Sequence, residues 1–151
     1  MAPKRILLVD DDRDTRSWLA EYLIELGYEP HSALDADHAL RSAVALRPDL
    51  ILLDVYLPSP AFALQFASRY RDRVSPEARA PIIAMSASDQ LATLGQQIGA
   101  NDTLSKPFEL GALVKLLAKY LDEPAVAPIA ERDQVPASTT ELAPQPENGS
   151  A

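Results

Sequence analysis

The chain has 151 residues, 47% of them hydrophobic, with a formal net charge of −8 and a pI near 4.7. That is enough apolar material for one domain with a core, and the acidic balance argues against direct binding of nucleic acid or of an anionic membrane surface. There is no cysteine, so a disulfide framework and a thiolate zinc site are excluded, and a reducing, cytoplasmic setting fits. The apolar run behind the basic start, Ile6 to Val9, is too short for a secretory segment, and no run approaches the roughly 20 residues that span a bilayer. No membrane insertion is expected.

Ile6-Leu7-Leu8-Val9 reads as a strand buried on both faces, and it runs into Asp10-Asp11-Asp12. Thr15, Trp18, Leu19, Tyr22, Leu23 and Leu26 then share one helical stripe, which predicts a helix packed through Trp18 and Tyr22, capped by Asp12 or Asp14 and stopped by Gly27. Tyr28 to Ala33 is a weaker strand. Pro30 removes one ladder donor there, so this strand is expected at a sheet edge. Asp35 caps a helix bearing Ala39, Leu40, Ala43 and Val44. Leu50-Ile51-Leu52-Leu53-Asp54 follows, four apolar residues ending in a carboxylate.

Val55 to Pro60 is a loop by its prolines. Phe62, Phe66, Ala67 and Tyr70 mark the next helical face. Pro81 to Ser86 is another buried strand, Asp89 to Ile98 a helix stopped by Gly99, and Asp102 to Ser105 a short strand leading into Lys106-Pro107-Phe108. A last helix carries Leu110, Leu113, Val114, Leu117 and Leu121. Five strand–helix units in alternation predict an α/β fold with a parallel sheet covered on both faces. From Asp122 to Ala151 the composition shifts to proline and acid with almost no apolar period, which predicts a disordered tail.

The strand ends carry the chemistry. Parallel strands place all their C-terminal ends on one rim, so Asp10, Asp11, Asp54, Ser86 and Lys106 can converge despite their separation in sequence. Taken singly each has a plainer role: a helix-capping cluster, a strand-end hydroxyl bonded to backbone, a solvated lysine. Together they are a set of oxygen ligands without histidine or cysteine, for which Mg²⁺ is the natural ion. A lysine and a hydroxyl beside one carboxylate suit phosphoryl transfer to that carboxylate.

At these residues the chain resembles the receiver domain of bacterial two-component response regulators, the flavodoxin-like group that includes the chemotaxis regulator. The resemblance covers about residues 4 to 121 and is carried by Ile6–Asp12 (ILLVDDD), Asp54 to Pro58 (DVYLP), Met85-Ser86-Ala87 and Ser105 to Phe108 (SKPF). It implies a receiver domain over residues 1–121 with five parallel strands in the order 2-1-3-4-5 flanked by five helices, and a tail over 122–151. It implies that Asp54 is the phosphoacceptor, that Asp11 and Asp54 with the backbone carbonyl of Tyr56 hold Mg²⁺ with help from Asp10, that Lys106 contacts the phosphoryl group, and that Ser86 is the switch hydroxyl, with Ala87 its small neighbour. The implied partners are a sensor histidine kinase or a phosphotransfer protein as donor and a downstream protein as target.

Two positions depart from the family's pattern. Thr103 stands where a switch tyrosine or phenylalanine is usual, and Ser59-Pro60-Ala61-Phe62 replaces a glycine-containing turn. Tyr56 holds a position that influences dephosphorylation in the family, and its bulk predicts slow loss of phosphate. The tail is too short and polar to fold as an output domain, so the expectation is a stand-alone receiver, not a turnover enzyme, acting through protein–protein contacts or a phosphorelay. The alternatives are a scaffold that no longer takes phosphate and a Mg²⁺-dependent aspartyl phosphohydrolase. The hydrolase commonly has a second aspartate two residues after its nucleophile, where this chain has Tyr56.

Overall fold

The computed structural model of the chain, which describes residues 2–55 and 60–121, gathers the apolar runs at the centre of one sheet. The strands are β1 (Arg5–Val9), β2 (Glu29–Ala33), β3 (Leu50–Asp54), β4 (Ile82–Ser86) and β5 (Asp102–Ser105). All neighbours pair in parallel, in the order β2-β1-β3-β4-β5. Every residue of β3 and β4 is buried, as two-sided coverage of a parallel sheet requires. β2 lies at the edge, where Pro30, opposite Ile6, costs no ladder bond on its outer side.

The period-2 alternation of the strands divides the core into two layers. Leu7, Val9, Ile51, Leu53, Ile82 and Ala84 face α2 (Ala36–Leu46), α3 (Pro60–Arg73) and α4 (Leu91–Ile98). Ile6, Leu8, Leu50, Leu52, Ile83 and Met85 face α1 (Arg13–Glu25) and α5 (Leu110–Leu121). Each fully buried leucine or isoleucine contributes about 1.5–3 kcal/mol by transfer alone. Truncating Leu52 at the centre of the sheet would cost about 2–5 kcal/mol once its cavity is included.

The helix ends follow their sequences closely. Asp35 accepts a hydrogen bond from the His38 amide at 2.8 Å and caps α2. Gly27 and Gly99 take the positive φ angles (95° and 71°) that end α1 and α4. At the end of α2 the left-handed position falls instead on Arg47, φ 51°, which the sequence does not announce. α4 begins at Leu91 rather than Asp89.

Several packing expectations fail: Val44 and Leu110 lie exposed on α2 and α5, and Trp18 and Phe62 depart as well. Trp18 does not pack α1 onto the sheet: it is 43% exposed, while its neighbour Leu19 is buried. At 100° per residue the two diverge, and the core takes Leu19 with Tyr22 and Leu23. Trp18 packs against Phe108 instead, ring centroids 5.9 Å apart. Phe62 likewise lies at the margin of the α3 stripe, 41% exposed, and Ala63 takes the inward position. The expected tail, 122–151, and Tyr56 lie outside the described residues.

Candidate functional site

The C-terminal rim of the sheet brings the sequence-derived residues together. Asp10 follows β1, Asp54 ends β3, Ser86 ends β4 and Lys106 follows β5. Asp10, Asp54 and Ser86 are almost the only buried polar side chains of the described residues, and burying a carboxylate is costly unless it is paired. Carboxylate oxygens of Asp10, Asp11 and Asp54 lie within 4.8 Å of one another, with Asp11 the exposed member.

Asp10, only 1% exposed, accepts one hydrogen bond on each carboxylate oxygen. One oxygen accepts from the Asp12 amide at 2.9 Å and the other from the Lys106 ammonium at 2.6 Å. The Arg16 guanidinium holds its backbone carbonyl at 2.6 Å. Lys106 also lies 3.7 Å from Asp54. Removal from water pulls the lysine's pKa down, but the hydrogen bond to Asp10 and the charges of Asp54, Asp10 and Asp12 outweigh it, so the net displacement is upward. The ammonium is held charged beside the carboxylates.

Asp12 stands at the start of α1, yet its carboxylate accepts from the Thr15 hydroxyl rather than capping a backbone amide. That hydrogen bond chiefly lowers its pKa. The Ser86 hydroxyl accepts from the Ser88 amide at 3.0 Å, and the Lys106 amide donates to the Ser86 carbonyl at 2.9 Å. Ser86 and Lys106 are thus tied by backbone as well as by position. Between α1 and the loop after β5, Thr15, Trp18, Ala87, Lys106, Pro107 and Phe108 line an open cavity of about 360 Å³.

Thr103 is half-buried on β5 against α4. A Cβ added at Gly95 would come within 2.8 Å of its γ-methyl. The missing aromatic ring is therefore matched by a missing side chain on the facing helix, and α4 approaches β5 closely.

Sequence reasoning missed Arg16 and the Trp18–Phe108 contact. Arg16 gave no signal, because a surface arginine one turn into a helix is unremarkable in sequence. Trp18 gave a misleading one, since its spacing fitted the core stripe.

The arrangement offers a set of hard oxygen donors, without histidine or sulfur, next to a fixed cation. Such donors fit Mg²⁺. Among the described residues no helix is long and apolar enough to cross a membrane.

Comparisons with known proteins agree with this fold. Residues 6–118 match the family profile of the response regulator receiver domain. The alkaline phosphatase synthesis transcriptional regulatory protein PhoP of Bacillus subtilis is 31% identical over 137 residues, covering 87% of this chain and 55% of the relative. The response regulator MprA of Mycolicibacterium vanbaalenii is 38% identical over 119 residues, 78% of this chain and 48% of that protein. The chain thus spans about half the length of these curated relatives. Among solved structures, the chemotaxis response regulator CheY4 of Vibrio cholerae superimposes with a TM-score of 0.67 at 28% identity, covering 79% of this chain and 99% of that one.

Proposed function

The chain belongs to the response regulator receiver domain family of two-component signalling, and on that premise we propose that it accepts a phosphoryl group on Asp54 and signals through protein–protein contacts. The supporting observation is the convergence of Asp10, Asp11 and Asp54 within 4.8 Å beside Lys106. Asp54 is the carboxylate at the strand end that the half-buried Lys106 ammonium approaches at 3.7 Å, its closer partner being Asp10.

In this reading Asp10, Asp11 and Asp54 would hold Mg²⁺, with the Tyr56 carbonyl, outside the described residues, as the further ligand. When bound, Mg²⁺ would supply positive charge against the crowded carboxylates and the incoming phosphoryl oxygens. An Asp54 oxygen attacks phosphorus, the bond to the donor's nitrogen or oxygen breaks, and an acyl phosphate remains. Lys106 stabilises charge on the transferred group. Asp10 keeps the lysine aimed into the pocket. Ser86 turns from the Ser88 amide toward a phosphoryl oxygen, moving the loop that follows β4.

The donor is a sensor histidine kinase or a phosphotransfer protein, and the chain acts as a phosphoacceptor in the cytoplasm rather than as a turnover enzyme. The test is incubation with acetyl phosphate and Mg²⁺, read by intact mass. A single phosphoryl adduct on the wild type and none on Asp54→Asn supports the assignment. Equal labelling of both, or of neither, would refute it.

A further inference from the structure

Four arginines gather on the rim opposite the carboxylates, where the acidic groups Glu29, Asp49 and Asp102 are already bonded to other partners. Arg71 and Arg79 line a cavity of about 430 Å³ together with Tyr70 and Tyr120. Arg47 and Arg73 line a second, of about 280 Å³, that shares Tyr70. Arg71 donates to the Gly99 carbonyl at 2.9 Å, and Arg79 to the carbonyls of Val74 and Arg71 at 2.9 and 2.7 Å. Carbonyls fix the orientation of a guanidinium without neutralising it. Among the described residues no carboxylate comes within ion-pair distance of any of these four arginines. Asp72 and Glu77, their neighbours in sequence, are exposed and make no such pair.

α5 runs from the carboxylate rim to this one. Tyr120 lines the first cavity and Leu121 ends the helix, so the chain leaves α5 at the cavity's lip. The next residues are Asp122 and Glu123, and residues 122–151 carry six acidic side chains against one arginine. An extended chain reaches roughly 3.3–3.6 Å per residue, so the stretch from Leu121 to Glu131 can extend to the second cavity as well.

We propose that the arginine rim is the docking surface of the chain's own acidic segment, Asp122 and Glu123 pairing with Arg71 and Arg79, and Glu131 and Asp133 with Arg47 and Arg73. Exposed ion pairs are individually weak. Covalent attachment presents the segment at high effective concentration, an advantage that a free anion or a second copy lacks. The matched charge and the exit of α5 beside the cavity therefore favour this occupant.

The absence of cysteine allows a clean probe. The full chain carrying Ser138→Cys with a nitroxide label is compared, by ¹⁵N NMR, with the same chain carrying Asp122→Asn, Glu123→Gln, Glu131→Gln and Asp133→Asn. The expected result is paramagnetic broadening concentrated on residues 43–47 and 73–78, which line the second cavity, at low salt, lost at high salt and in the neutralised chain. The Nε–Hε signals of Arg71 and Arg79 shift on neutralisation. Arginine signals that ignore neutralisation, or broadening spread evenly over the surface, would overturn the proposal. So would broadening that grows with protein concentration, which marks a second copy, or inorganic phosphate shifting the arginine signals equally in both chains, which marks a small-anion site.

Discussion

Lys106 lies 2.6 Å from Asp10 but 3.7 Å from Asp54. The lysine's first partner is thus the buried carboxylate, and the proposed phosphoacceptor is the second. Lys106→Gln would leave Asp10 buried beside two other carboxylates with its cation gone. Breaking a buried pair in this way costs on the order of 3 kcal/mol. Urea denaturation in EDTA should show a loss of that order, partly restored by Mg²⁺. A variant as stable as the wild type in EDTA would mean that the pair is not holding the site.

Three carboxylates within 4.8 Å repel one another when no cation lies between them. Asp54→Asn removes one of the charges. In EDTA the variant should be more stable than the wild type by about 1 kcal/mol, the scale of a close pair in a partly solvated setting. Saturating Mg²⁺ should reverse the order, because ligand binding stabilises by about 2.7 kcal/mol at a hundredfold excess over its dissociation constant. Thermal melts of both proteins in EDTA and in Mg²⁺ check it, and an equal Mg²⁺ response in the two would remove Asp54 from the ion's ligands.

The contact of Gly95 with Thr103 fixes how closely α4 sits on β5. Helix propensity alone favours Gly95→Ala by about 1 kcal/mol. The 2.8 Å approach to the Thr103 methyl, carried on a stiff β-branched side chain, opposes it. Overpacking of this kind costs about 1–3 kcal/mol, so Gly95→Ala alone should destabilise. In Thr103→Ser, which lacks that methyl, the same substitution should be neutral or stabilising. A double-mutant cycle by chemical denaturation measures the coupling, and strict additivity would show that the two residues do not press on each other.

Tyr28 is buried, and its hydroxyl has no partner among the described residues. Burial alone pushes its pKa up to about 12. The unfolded chain ionises this tyrosine near 10, so between about 10 and 12 the unfolded state holds fewer protons and stability falls as pH rises. The phenol's contribution is complete below the unfolded value and is lost on passing through the folded one. Tyr28→Phe removes the orphan hydroxyl and should raise stability by up to about 1 kcal/mol at neutral pH while flattening the alkaline loss. Melts at neutral and alkaline pH test both statements, and an unchanged alkaline slope in the variant would assign the loss elsewhere.

Much of the fold was legible because its central strands are short, apolar and buried on both faces, and because Gly27 and Gly99 mark the ends of two helices. Pro30 alone placed β2 at the edge. Amphipathic margins were less legible: Trp18 and Phe62 fit the core stripes but lie just outside them, and periodicity cannot say how wide a stripe the sheet will cover. At the site the residues were legible through their strand-end positions. The preference of Lys106 for Asp10 was not, since it depends on how far the loop after β5 leans toward β1. The arginine rim was invisible for a related reason: Arg47, Arg71, Arg73 and Arg79 become neighbours only when α2, α3 and the turn after α3 are packed.

The most direct test of the central claim is chemical location of the phosphoryl group. The full chain, treated with acetyl phosphate and Mg²⁺, is reduced with borohydride, which converts an acyl phosphate into an alcohol, and peptide masses locate the homoserine. The expected result is homoserine at position 54 alone. Homoserine at position 10 or 11, or at none of the three when an adduct is present, would contradict the account.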